Sequence, residues 1–299
     1  MKHKPKITII LLTMFLVTQF IGLYVVNHYI AEENDLPYGM DQPEIESNAE
    51  YLTLFPFIIM AFIIAITIMF LMSKFNWEIV LRLWFFIVVA IALGLSFNVI
   101  LTKLQYASLI AFIIALPLAY IKIFKQNFIV HNATELFIYP GIAAVFVPLL
   151  NLYTIIGFLI LISLYDAWAV WHSGFMQKMT KYQIKKLNIF SGFFVPYASK
   201  GMKNKIKKMK ATLSKEELSK KRIKVNVAIL GGGDVIFPII TAGVMLKLFT
   251  FYHSLFVIAG ATLGLGFLLF RSEKKKFYPA MPFITAGIFV GMIASYFIL

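Results

Sequence analysis

Leu152-Tyr153-Thr154-Ile155-Ile156-Gly157-Phe158-Leu159-Ile160-Leu161-Ile162-Ser163-Leu164-Tyr165-Asp166-Ala167-Trp168 carries one acid in an otherwise apolar run. It is far longer than an ordinary strand and shows no period-two alternation. Read as a helix and continued to Phe175, it is long enough to cross a bilayer core of about 30 Å. The segment before it, from Leu136, is nearly as apolar, so the two must be divided. Pro148 and Asn151 are the turn signals between them.

Similar runs fill the chain. Of 299 residues, 60% are apolar and only 14% are charged, against roughly a quarter charged in soluble domains. Helices satisfy their own backbone hydrogen bonds in lipid, and the lack of alternation excludes a barrel. The fold class is therefore all-α: a polytopic membrane helical bundle with nine transmembrane helices. Their expected positions are about 7–30, 52–73, 78–101, 105–124, 128–149, 152–175, 224–246, 251–270 and 279–299. Three parts follow: residues 1–175 with six spans, a basic loop at 176–223, and residues 224–299 with three spans. The first run is too long for a signal-peptide core and is expected to stay as a span. The absence of cysteine excludes thiol nucleophiles and cysteine-ligated metals.

Charge placement orients the bundle. The loop 176–223 holds fourteen Lys and Arg, from Lys178 to Arg222, and only Glu216 and Glu217 as acids. The positive-inside rule places it in the cytoplasm, together with Lys2, Lys4, Lys6, Lys74, Lys122, Lys125, Arg271 and Lys274 to Lys276. The first outer loop holds Glu32, Glu33, Asp35, Asp41, Glu44, Glu46 and Glu50 with no base. The N-terminus is then cytoplasmic and the C-terminus outside. The net charge of +14 calls for no nucleic-acid partner, because most of it sits beside the membrane, where anionic lipid attracts it.

Of the fourteen acids, Asp166 and Asp234 are the two placed deep within predicted spans. A carboxylate at mid-membrane costs at least about 2.5–3.5 kcal/mol and marks a functional site by default. Each lies nine residues from the cytoplasmic end of its expected helix, a depth of about 14 Å. Antiparallel neighbours would bring the two face to face. Paired carboxylates in a low-dielectric site share a proton, so one can activate water while the other supports the developing oxyanion. Around the second acid, Gly231, Gly232 and Gly233 weaken the helix, and Pro238 removes the N–H that would bond the Asp234 carbonyl. Glycines alone read equally as a helix-packing surface; beside Asp234 they read as an opened, active backbone.

At these residues the sequence resembles the presenilin and signal peptide peptidase family of intramembrane aspartyl proteases. That family carries Tyr-Asp on its sixth span and Gly-x-Gly-Asp on its seventh, matching Tyr165-Asp166 and Gly231, Gly233 and Asp234. Its Pro-Ala-Leu element at the ninth span is similar to Pro279-Ala280-Met281, with methionine in place of leucine and Pro282 following. The long loop and Pro282 make the chain most similar to archaeal presenilin homologues, single chains without larger assembly partners. The resemblance implies Asp166 and Asp234 as catalytic. It implies Tyr165, Gly231, Gly232 and Gly233 as shaping the active site, and Pro279, Ala280, Met281 and Pro282 as forming the substrate site. It also implies transmembrane-helix proteins as substrates, the lipid bilayer as surroundings, no cofactor and no obligate protein partner; oligomer formation stays open. Pro279 also has a plainer role, since proline suits a helix's first turn, and Tyr165 reads equally as a packing residue.

Within the basic loop, Leu187 to Tyr197 is an apolar insert. It reads as a segment lying on the headgroups or as a lid at the cavity mouth, cut during maturation. Ser214-Lys215-Glu216-Glu217 has capping-box spacing and predicts a short helix. No His-Glu-x-x-His is present, and His3, His28, His131, His172 and His253 are scattered, so each reads as a packing or interfacial residue. The main rival function is an ion- or proton-coupled transporter, or a cation leak channel, using the same carboxylates. A non-cleaving scaffold is a third.

Overall fold

A computed structural model describes residues 5–31, 34–43, 45, 47–74, 77–125, 127–173, 191–197, 226–273 and 278–299. Nine α-helices run through them: α1 Pro5–Val26, α2 Asn48–Lys74, α3 Glu78–Leu101, α4 Ala107–Tyr120, α5 Phe128–Phe146, α6 Leu152–Trp168, α7 Gly232–Leu248, α8 Phe251–Arg271 and α9 Met281–Ile298. Two strands, β1 Gly192–Tyr197 and β2 Asn226–Gly231, form an antiparallel pair. The 214–217 capping box and residues 187–190 lie outside the described residues.

Eight helical segments are long and apolar enough to cross a membrane. The remaining helix, α7, has 17 residues, because the predicted 224–246 helix is a correction the structure makes: its first part is strand. Residues 226–231 extend to about 20 Å at some 3.3 Å per residue, where a helix would cover about 9 Å. Burial along β2 alternates, with Val227 and Ile229 exposed and Ala228 and Leu230 buried, the period-two signature of a strand. The three glycines then mark the change from strand to helix, rather than a weak point within one helix.

The core lies where α1, α5, α7, α8 and α9 meet, with Leu11, Phe15, Val147, Ile155, Ile239, Val257, Ile284 and Ile288 fully enclosed. The α8–α9 pair is the most extensive. Its glycines explain this: a Cβ on Gly260, Gly264 or Gly291 would collide with the backbone carbonyls of Gly287, Phe283 and Phe256 respectively. Small residues let two helix backbones approach this closely, and packing of that kind drives association in lipid. In contrast, α2 is nearly all lipid-facing. It touches the bundle through Phe55 and Phe62, which lie against Phe158 and Phe146.

Between α5 and α6 the chain turns through a 3₁₀ segment at Val147–Leu149. Asn151 then caps α6 in a reciprocal arrangement with Thr154. The turn signals at Pro148 and Asn151 thus sit where the two helices divide.

Candidate active site

Asp166 stands in the last turn of α6 and is 6% exposed. Its Oδ2 accepts a hydrogen bond from the backbone N–H of Met281 at 3.0 Å. Met281 is the first residue of α9, so that N–H belongs to the group of helix-start donors with no partner inside the helix. Pro282 follows it and has no N–H to satisfy. The Asp166 carboxylate therefore caps α9 from another helix, at the end where the helix dipole favours negative charge. One turn away, Ser163 Oγ donates to Thr285 Oγ1 at 2.8 Å, which fixes α6 against α9 in this register.

Asp234 lies in the first turn of α7, partly buried. Helix α7 packs on α6, and Asp166 is within Coulombic range of Asp234. The two acids thus stand on neighbouring helices, Asp166 near the end of α6 and Asp234 near the start of α7. Their depths are not set by equal counts of helical residues, because strand rather than helix precedes Asp234.

The three glycines differ in their surroundings. A Cβ on Gly231 would lie 3.2 Å from Asp234 Oδ2, so that position must stay small to leave the carboxylate its room. On Gly232 it would lie 2.6 Å from Ser191 Oγ and 2.7 Å from the Tyr139 hydroxyl, inside a filled space. On Gly233 the nearest atom would be Phe237 Cε2 at 3.7 Å, an ordinary contact.

Of the remaining predicted residues, Pro279 and Met281 are buried and Ala280 is partly buried, forming the N-terminal entry of α9. This element is thus brought to Asp166 through the Met281 amide. Tyr165 is within Coulombic range of Asp166, while its side chain is 44% exposed and its ring packs toward Trp168. Among the described residues, no hydrogen bond joins its hydroxyl to either aspartate. Consecutive residues on a helix diverge by about 100°, so the Tyr165 and Asp166 side chains leave α6 in different directions.

Two further groups escaped the sequence reading. From α1, Gln19 Nε2 donates to the Val235 carbonyl at 3.0 Å and braces α7 next to Asp234. At the start of α5, His131, Asn132 and Glu135 are buried among β1 and the end of α4. Glu135 forms an ion pair with Lys122, which is also buried. Glu135 is a further buried acid, hidden in sequence because it falls in the polar first turns of its helix. Tyr139, one turn further, is within Coulombic range of Asp234.

The fold is that of a multi-pass membrane protein with an aspartate on each of two packed helices. The sequence profile of the signal-peptide peptidase, presenilin aspartyl protease family matches residues 12–299, and the chain belongs to that family. No curated protein sequence matches it. Among solved structures, a presenilin family intramembrane aspartate protease in one crystal form is 18% identical, with a TM-score of 0.61, over 98% of this chain and 99% of that one. A second crystal form of such a protease is 17% identical, with a TM-score of 0.61, over 97% of both chains. At these identities the likeness speaks for the fold.

Proposed function

We propose that the chain is a protease of the Gly-x-Gly-Asp type that hydrolyses peptide bonds within transmembrane helices of other membrane proteins, with Asp166 and Asp234 as its catalytic pair. What supports this is that Asp166 and Asp234 stand on packed helices within Coulombic range of each other. Two carboxyl groups in a poorly solvated site share one proton. The anionic member takes a proton from water as the water attacks the substrate carbonyl, and the protonated member hydrogen-bonds the oxyanion. The pair titrates as a unit, so neither role is assigned to one residue. The Met281 amide holds one oxygen of Asp166, which fixes the carboxyl plane. In this scheme Gly231 and Gly233 leave room for substrate backbone, Gly232 seats the strand-to-helix corner, and Pro279 to Pro282 form the wall opposite.

A helix must unwind before its peptide bonds can be reached, and the unwound segment then needs backbone partners. Strand β2 offers them. In an antiparallel pair, alternate residues direct their backbone groups away from the partner strand. Phe194 and Gly192 of β1 bond toward α5, so their opposites across the register, Ile229 and Gly231, point outward on the other side, with Val227. An extended substrate added there, as in strand addition generally, runs toward Asp234.

The basic segments place the N-terminus and the 176–223 loop in the cytoplasm, and with them the end of the bundle that holds the aspartates. The substrates are transmembrane-helix proteins, met within the lipid bilayer, and no obligate partner is required. The test is purified protein in liposomes with a single-span substrate, its products mapped by mass spectrometry. Cleavage within the span, lost in Asp166→Asn and in Asp234→Asn, is the expected result. Ion flux without cleavage would instead establish a transporter or leak channel.

A further inference from the structure

Strand β1 has two edges, and each is occupied in a different way. One edge pairs with β2 from Gly192↔Gly231 to Tyr197↔Asn226. The other faces the first turns of α5, where side chains replace a neighbouring strand. The Asn132 carboxamide bonds Phe194 on both sides: Phe194 N–H donates to Oδ1 at 2.9 Å, and Nδ2 donates to the Phe194 carbonyl at 2.9 Å. That is the exchange of two hydrogen bonds which a residue in a third strand would make. Two residues earlier, Gly192 N–H donates to Glu135 Oε1 at 3.3 Å, and His131 Nε2–H donates to the Gly192 carbonyl at 2.8 Å.

The set is itself held from behind. The Lys122 ammonium, from the turn that ends α4, pairs with Glu135 and lies 3.2 Å from His131 Nδ1. An ammonium can only donate there, so Nδ1 accepts, and Nε2 carries the proton that reaches Gly192. Pro196, next in the two-residue series, has no N–H and so calls for no acceptor on this edge.

We propose that His131, Asn132 and Glu135 are positioning residues for the catalytic pair: they fix the register of the β1–β2 hairpin and thereby the place of Asp234. Strand β2 passes into α7 at Gly232 with no intervening loop, so any sliding of β2 against β1 is transmitted to Asp234 three residues on. A slip that keeps the same side chains buried must move two residues, or about 7 Å. On the exposed face Val227 and Ile229 are of similar size and do little to forbid it, so within β2 only the exchange of buried Ala228 and Leu230 opposes it. The α5 ladder recognises backbone at Gly192 and Phe194, and closing this edge leaves β2's edge as the open one among the described strands. The proposal rests on the protease reading for its consequence, while the register itself can be measured without substrate.

The test uses the absence of native cysteine. In full-length protein, the pair Phe194→Cys with Ile229→Cys reports the native register, and Phe194→Cys with Val227→Cys reports the slipped one. The first pair is expected to cross-link on oxidation and the second not to. Adding His131→Ala releases the Gly192 carbonyl, and His131→Ala with Glu135→Leu releases its N–H as well, while Phe194 stays available for labelling; the second cross-link is expected to appear. In cysteine-free protein, Asn132→Leu, with Asn132→Asp as the milder change, should lower cleavage at the native position by about a hundredfold, given the sensitivity of catalysis to small misplacements. New cleavage positions two residues away should appear. A variant that merely folds less well loses product without changing positions or cross-links. Unchanged cross-links and unchanged cleavage positions in all these variants overturn the proposal. Should wild type not cleave at all, the protease reading fails, and the cross-links alone still decide whether α5 sets the register.

Discussion

Asp166 has two separable duties, and replacing it in two ways pulls them apart. Its Oδ2 caps the Met281 N–H at 3.0 Å in a site where the carboxylate is 6% exposed. Asp166→Ala removes the acceptor and leaves a buried amide without a partner, which costs about 1–3 kcal/mol. Loss of a negative group at a helix start adds about 0.3–1 kcal/mol. Asp166→Asn keeps an oxygen of the same reach, so the cap survives as a neutral hydrogen bond and the loss should stay below about 1 kcal/mol. Thermal unfolding in detergent, followed by tryptophan fluorescence, should therefore rank wild type and Asn close together, with Ala several degrees lower. Cleavage of a single-span substrate should be absent in both variants. If Ala unfolds with wild type, the cap is not formed as described. If Asn retains cleavage, the carboxylate is not part of the chemistry.

Two other outcomes follow from the packing. Gly232→Ala drives a methyl group into the Ser191 and Tyr139 oxygens and should cost about 1–3 kcal/mol as overpacking. Gly233→Ala meets only Phe237 at ordinary contact and should leave the unfolding temperature unchanged; the opposite ranking would contradict the site. Lys122→Met strands the Glu135 carboxylate among buried groups and should destabilise by about 3–5 kcal/mol, with much of this recovered in Lys122→Met/Glu135→Leu. Equal stability of wild type and the single variant would show that the ion pair is not buried.

Much of this architecture was legible in the chain because lipid demands long apolar runs, and such runs are conspicuous. The two aspartates stood out for the same reason: in an apolar segment a lone acid has a cost that needs explaining. Pro279 to Pro282 could be placed by motif, yet that Met281 would present its amide to Asp166 depends on how α6 and α9 pack. The strand at 226–231 was missed because Val227, Ala228, Ile229 and Leu230 suit a buried helix as well as a strand, and periodicity cannot separate the two over six residues. Its partner in β1 lies across a long basic loop, beyond any local pattern. The start of α5 is polar, and His131, Asn132 and Glu135 would be costly facing lipid. They are stable there because they bond the backbone of β1 and the Lys122 ammonium, partners that only the folded bundle supplies. Tyr165 entered through the family's Tyr-Asp pair; its ring is 44% exposed and packs toward Trp168.

The central claim is that Asp166 and Asp234 act on the same atom. A transmembrane peptide with a hydroxyethylene group at the scissile position mimics the tetrahedral intermediate and should engage both carboxyls at once. Equilibrium binding to wild type should be at least about a hundredfold tighter than to either Asp166→Asn or Asp234→Asn. Equal affinity for all three proteins would contradict it.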